Sequence, residues 1–414
     1  MYGDTKRTNV TATQAIDQTR NHPLRTRIRF ALILGALTAF APLSIDMYLP
    51  ALPALRNEFH SSESLVQLTL TACVVGLGVG QLIAGPLSDS LGRRRPLLVG
   101  LGIYALASLA CAFAPSVPAL IGLRLVQALA GSAGLVIARA VVRDLFSGKA
   151  MAKFFSMLML VNGLAPILAP VLGGQLLRVT TWRGVFVVLT VVGVLLLATT
   201  VFTLPETLPH ERRGAGKVSA TLRTYLRLVT DRGLLSCVLV AGISFGALFT
   251  YVSSSSFVLQ SGYHLSPQQF SFVFGANSIG IVLFGQLNGR LVGRFSPRAL
   301  LGAGLGISAV AGLLLVLAVL FGAGLAVVLV PMWVSVSSVG MIMPNASTLA
   351  LSDYPDSAGS ASALLGFGQF LIGGVTAPII GLGGANPLPM AGSICGFALI
   401  ALLVYHTMVK PATR

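Results

Sequence analysis

Few residues of this 414-residue chain sit where their chemistry would be unusual, and Asp46 leads them. It lies inside the apolar run Phe30 to Pro53 (FALILGALTAFAPLSIDMYLPALP). At about 1.5 Å per helical residue, that run is long enough to cross a hydrocarbon core about 30 Å thick. A carboxylate there is costly, and an ionisable residue within a span is a functional-site hypothesis by default. The other 11 acids (Asp4, Asp17, Glu58, Glu63, Asp89, Asp144, Glu206, Glu211, Asp231, Asp353 and Asp356) fall in tails, loops or span ends. Arg124 is the natural partner. Asp46 lies about 10 Å of helix from Pro53 and Arg124 about 9 Å from Pro118, which puts both at one level. A buried acid beside a cation can be tuned as a proton site, because desolvation and the neighbouring charge pull in opposite directions. A fixed ion pair joining the two helices is the alternative.

Other candidates are less unusual. The loop Gly85 to Pro96 holds Asp89 beside Arg93, Arg94 and Arg95, a set able to cross-link helix ends in one conformation and release them in another, or simply to fix topology. Pro166, Pro170, Gly173 and Gly174 would bend a helix and let a neighbour approach closely. Tyr48, Asn162, Phe245, Tyr251, Asn277, Asn345, Phe367 and Gln369 are polar or aromatic residues within spans and candidates to line a cavity. Arg139, Arg143 and Asp144 lie near a span end, where long side chains reach water cheaply.

Enzyme signatures are missing. There is no G-x-x-x-x-G-K-[ST], no G-x-S-x-G, and His210-Glu211-Arg212-Arg213 is followed by Gly214, so it is not a zinc-binding H-E-x-x-H. No metal or cofactor set is expected. Cys73, Cys111, Cys237 and Cys395 share no paired spacing and are expected to be small packing residues.

The elements that carry these residues follow from composition. With 55% hydrophobic and 10% charged residues, 46 glycines and a mean hydropathy of +0.85, the chain is not a soluble globular one, whose charged share would be about 25%. Apolar runs of spanning length follow the first at about 65 to 87, 97 to 115, 118 to 142, 151 to 177, 184 to 204, 234 to 258, 268 to 289, 299 to 320, 323 to 351, 359 to 382 and 388 to 409, twelve spans in all. The expected fold class is an all-α polytopic membrane protein. Residues 1–29 form a tail, 30–204 a six-helix domain, 205–232 a polar linker, 233–409 a second six-helix domain and 410–414 a short tail.

Placing the N-terminus in the cytoplasm puts 23 of the 28 Lys and Arg residues on that side and 3 (Arg56, Arg178, Arg183) outside; Arg124 and Arg139 fall within spans. Basic loops are not translocated, so both termini are expected in the cytoplasm. The net charge of +16 then reflects topology and not a nucleic-acid partner. The halves also repeat. Gly85 to Arg94 (GPLSDSLGRR) is matched 200 residues later by Gly285 to Arg294 (GQLNGRLVGR), and Ala169-Pro170-x-x-Gly173 by Ala377-Pro378-x-x-Gly381. Repeat-built transporters bind substrate near the midplane, between the repeats.

These residues resemble the major facilitator superfamily, in particular its twelve-span drug:proton antiporters. GPLSDSLGRRRPLL at 85 to 98 matches the loop motif between spans 2 and 3, with Gly85, Asp89, Gly92, Arg93 and Arg94 in register. LRLVQALAG at 123 to 131 resembles the span 4 motif, with Arg124 at the arginine associated with proton coupling. APILAPVLGG at 165 to 174 is similar to the span 5 antiporter motif, with Ala169 in place of its usual glycine. PLSIDMYLPALP at 42 to 53 and ETLPHERR at 206 to 213 look like the bicyclomycin and chloramphenicol resistance (Bcr/CflA) exporters. The resemblance implies two six-helix domains related by a pseudo-two-fold axis, alternating access, and export of neutral or weakly charged antibiotics from a bacterial inner membrane. It also implies drive by inward proton flow; a monomer is expected, with no partner beyond drug, protons and bilayer. Some relatives carry a second acid two turns before the helix 1 aspartate; Thr38 stands there in this chain. A symporter or metabolite exporter of the same fold is the runner-up.

Overall fold

The computed structural model describes residues 24–146, 148–210, 213, 226–352, 354 and 358–409. Among the described residues, eleven helices are long and apolar enough to cross a membrane, and a bent pair, Arg29–Thr38 with Phe40–Glu58, makes a twelfth span. The expected tails therefore lie largely outside the described residues, as do Glu211 and Arg212 of the linker.

Span 1 is broken for a local reason. Pro42 has no N–H to give the Thr38 carbonyl, and its ring crowds the preceding turn, so the axis bends by 41°. The helix Phe40–Asp46 then stops, because Pro50 cannot donate to the Asp46 carbonyl; a 3-10 turn, Leu49–Ala51, and a short helix, Leu52–Glu58, follow. The acid identified in the sequence thus ends a helix inside the span.

The remaining spans are Glu63–Leu91, Arg94–Ala112, Val117–Leu145, Gly148–Leu176 and Trp182–Thr203 in the first half, numbered 2 to 6. In the second half, spans 7 to 12 are Arg232–Phe257, Pro267–Leu291, Pro297–Leu320, Leu325–Ser352, Ala358–Gly381 and Pro387–Val404. Side-chain caps start most of them: Ser62 accepts from Leu65 N–H, Ser116 from Ala119, Asp231 from Gly233 and Leu234, and Ser266 and Gln269 form a reciprocal capping box. Span 2 runs one turn further than its apolar stretch, past Pro86, and stops at Gly92. Gly92 takes φ +87°, and Gly293 takes φ +94° in the matching turn after span 8. That conformation costs a glycine little.

Outward surfaces are apolar. Leu106 of span 3, Phe202 of span 6, Val310 of span 9 and Leu403 of span 12 are each more than half exposed. Such a girdle would aggregate in water and is what a bilayer covers. The four cysteines are buried.

The buried cores show how the halves meet. One apolar cluster, with Phe30, Leu34, Leu101 and Val141, stays within the first half near the linker; another, with Leu234, Leu301, Ile342 and Ala401, stays within the second. A third draws on both halves, packing Met47, Tyr48, Leu70 and Phe186 with Tyr251, Phe257, Phe270 and Met390 at the face far from the linker. Spans 2 and 11 and spans 5 and 8 form the seams. Ser64 Oγ donates to the Pro378 carbonyl (2.7 Å), Thr71 Oγ1 to Gly374 (2.9 Å), Gln268 Nε2 to Gly174 (2.7 Å) and Ser278 Oγ to Pro166 (3.1 Å). Ser256 Oγ reaches the Leu49 carbonyl in the broken span (2.7 Å). The halves are thus joined on the far side.

Candidate functional site

Between the halves, at the break in span 1, lies a cavity of about 220 Å³. Asp46, 8% exposed, is on its wall, with Ile45 and Pro42 from the same helix end. Opposite stand Phe245, Phe249 and Tyr251 of span 7, Phe274 and Ser278 of span 8 and Phe370 of span 11. Asp46 therefore faces the space between the bundles and not lipid. The volume is below the roughly 300–1,000 Å³ usual for small-molecule sites, as the far-side seal would impose.

Arg124 does not ion-pair with Asp46. It is fully buried, and its Nη2 donates to the Ser44 carbonyl at 2.8 Å while Nη1 donates to Gln127 Oε1 at 2.6 Å. Its guanidinium lies over the rings of Tyr48 (5.2 Å) and Phe186 (5.5 Å). Gln127 continues the chain to Ser108 Oγ (2.7 Å), and Ser44 Oγ meets Tyr104 Oη (2.7 Å). Ser44 is in the last turn of the helix that ends at Asp46, where carbonyls lack intrahelical partners. Arg124 thus caps that helix end, where a cation is favoured by the helix dipole. It acts on Asp46 through the backbone that carries it. Depth in the sequence gave the common level but not the direction in which each side chain points.

Of the eight candidate lining residues, Phe245 and Tyr251 are on the cavity wall. Asn277 stands behind Tyr251, with Nδ2 donating to its hydroxyl at 2.8 Å. Tyr48 is buried under Arg124, and Asn345 is buried between spans 8 and 10, donating to Asn288 Oδ1 at 2.6 Å. Asn162, Phe367 and Gln369 are partly buried and off the wall. Phe249, Phe274 and Phe370 were missed, since a phenylalanine in an apolar span carries no signal of its own; Phe370 adjoins Gln369 in sequence.

The span 5 motif packs on the break in span 1 and on the seam with span 8. A Cβ on Gly173 would run into the Met47 carbonyl at the break in span 1, and one on Gly174 into Ser271 and the Pro267 carbonyl of span 8. Pro166 is on the cavity wall, while Pro170 is one turn further along span 5. The motif's small residues let two spans touch the backbone of span 5.

The loop motif forms a second cluster, on the linker side. Arg93, 6% exposed, donates Nε to Asp144 Oδ2 (2.9 Å) and Nη1 to Ser88 Oγ (2.9 Å) and to Asp89. Glu206, at the start of the linker, accepts from the backbone N–H of Arg93 (2.8 Å) and Arg94 (3.2 Å) at the N-terminus of span 3. A Cβ at Gly92 would collide with this carboxylate, and Gly85 lies beside Val136 of span 4. Burial alone would raise the Glu206 carboxyl, but the N–H groups of Leu208, Arg93 and Arg94, with Arg213, overcome it and hold it below the ordinary carboxylate range. For Arg93, likewise, desolvation is outweighed by Asp144 and Asp89, which hold the guanidinium in its charged form. The cluster ties spans 2, 3 and 4 to the linker.

A broken first span, an acid facing a cavity between two six-helix bundles and seams on one side of it define a membrane transporter, not an enzyme. A profile of the Major Facilitator Superfamily matches residues 34–378. The chain is 38% identical over 386 residues, 93% of this chain and 96% of the relative, to an uncharacterized MFS-type transporter YdgK of Bacillus subtilis. It is 32% identical to a bicyclomycin resistance protein homolog of Haemophilus influenzae (92% and 96% covered) and 30% to a chloramphenicol resistance protein of Pseudomonas aeruginosa (84% and 82%). A bacterial homolog of the lysosomal transporter Spinster shares the fold, with a TM-score of 0.75 at 16% identity, covering 94% of this chain and 99% of that one. The chain belongs to the Major Facilitator Superfamily, and relatives in it are named for bicyclomycin and chloramphenicol resistance.

Proposed function

We propose that this protein exports small neutral or amphipathic drugs, of the bicyclomycin or phenicol kind, in exchange for protons by alternating access. The observation that carries the reading is the Asp46 carboxylate on the wall of the cavity between the halves. The count of 23 cationic residues against 3 supports a cytoplasmic linker face with both termini on that side, and the bacterial relatives support an inner-membrane location. The seams then close the outer side, and Asp46 in this state would release its proton inward and take a new one when the seams open outward. Drug and proton favour opposite states, so a shared cavity suffices to couple them.

One such acid is energetically enough. A proton moving down a potential of roughly 150 mV releases about 3.5 kcal/mol, which sustains a gradient of a few hundredfold for a neutral solute. Asp46→Asn is expected to abolish export driven by a pH gradient in proteoliposomes while leaving the folded protein intact. Full active export by that variant would overturn the assignment. The sign of substrate movement under the gradient separates an exporter from a proton-coupled metabolite symporter of the same fold. No cofactor is required, and a monomer contains the whole site.

A further inference from the structure

Several serines inside the second half bond their own helix. Ser236 Oγ donates to the Gly233 carbonyl (2.8 Å), Ser337 Oγ to Trp333 (2.6 Å) and Ser338 Oγ to Ser335 (2.6 Å), which is how a hydroxyl is commonly satisfied in a buried helix. Ser244 of span 7, Ser308 of span 9 and Ser335 of span 10 depart from this. Each is at most 5% exposed, and none of the three hydroxyls has a hydrogen-bond partner among the described residues. Counted along their helices from Arg232, Pro297 and Leu325, they lie about 15–18 Å in, near the middle of the bilayer. A polar group left unpaired at that depth is costly, because bulk water does not reach it.

The three serines line one small cavity. It lies where spans 7, 9, 10 and 12 meet, and apart from the serines its walls are apolar, with Leu305 and Ile394 among them. Leu248 and Val336 line both this space and the Asp46 cavity, so these two side chains stand between the two. The centre of a water molecule has about 10 Å³ in which to move there. That is the threshold for holding one water, provided two to four polar partners are present. Each hydroxyl can donate and accept, so three of them suffice for a water's two hydrogens and one lone pair.

We propose that this cavity is a binding site for a single ordered water, held by Ser244, Ser308 and Ser335 in the core of the second half. The water completes a polar joint between spans 7, 9 and 10, since a water-mediated bond is nearly as favourable as a direct one. Through Leu248 and Val336 the joint braces the substrate cavity from behind. The assignment is independent of what the protein carries and of how transport is driven.

The test is thermal unfolding of the full-length protein in detergent, with the serines replaced by alanine singly and together. Ser244→Ala, Ser308→Ala and Ser335→Ala each remove one partner of the water, and each is expected to lower the melting temperature by about 1–2 °C. The triple variant leaves an apolar cavity with neither a water nor an unpaired hydroxyl, so its loss is expected to be smaller than the three single losses added together. In a dry site each replacement would only remove an unpaired hydroxyl. Single variants that melt unchanged or higher would therefore overturn the proposal, and so would losses that simply add in the triple variant. Where a variant does not fold, the unmodified protein in lipid nanodiscs decides. A map that resolves ordered solvent is expected to show one water within hydrogen-bonding distance of all three Oγ atoms, and a map with none there would overturn the assignment.

Discussion

Arg124 Nη2 lies 2.8 Å from the carbonyl oxygen of Ser44, two residues before Asp46 in the same helix end. The guanidinium fills three roles at once: it caps that helix, bonds Gln127 and lies over Tyr48 and Phe186. A lysine ammonium has neither the planar fork nor the face to do so. Arg124→Lys is expected to forfeit one charge-assisted bond, about 1.5–3 kcal/mol, lowering the melting temperature in detergent and reducing export. Unchanged stability and transport in that variant would count against the cap.

Glu206 makes the linker clamp dependent on pH. Its carboxyl is held below its ordinary value, so the folded state favours its charged form. The contribution is present above the unfolded carboxylate pKa of about 4.3 and fades as pH falls through the lower folded value. Glu206→Gln is expected to melt earlier than the unmodified protein at pH 7, with the gap closing as the buffer is taken below pH 4. A gap that stays constant across that range would show that the charge does not contribute.

The seam between spans 2 and 11 is close enough to lock. Thr71 Oγ1 donates to the Gly374 carbonyl at 2.9 Å, and a Cβ built at Gly374 lies 3.7 Å from Thr71 Cγ2. Cγ2 occupies one of the positions a cysteine sulfur at 71 could take, so a small shift would bring the two side chains within reach of a disulfide. The double variant Thr71→Cys and Gly374→Cys should lose transport on oxidation and regain it with reductant. Transport that persists with the bond fully formed would show that this seam need not open.

Hydropathy was enough to find the spans, because each is a long apolar run bounded by charges or caps such as Ser116 and Asp231. Asp46 was legible for the same reason, since an acid in such a run is costly to keep. Side-chain direction was not. Asp46 and Arg124 share a level, yet one faces the cavity and the other the interior of the first half, because the helix stops at Asp46 and its free carbonyls attract the guanidinium. The aromatic wall was half hidden too. Phe249, Phe274 and Phe370 differ from lipid-facing phenylalanines such as Phe202 only in what the fold sets beside them. Gly173 and Gly174 were legible as close-packing residues, while their contacts, Met47 and Ser271, needed the assembled seams.

The apolar cluster on the far face is shared stock: Met47, Tyr48 and Leu70, which precede the linker, and Phe257, Phe270 and Met390, which follow it, belong to one continuous core. Neither six-helix unit owns a finished surface there. In this state the chain resembles two subunits of an obligate heterodimer that happen to be tethered. Each excursion to the opposite state must peel that common surface apart and rebuild an equivalent one at the other end, so a sequence change that strengthens the seal on one side alone would stall the cycle as surely as one that weakens it.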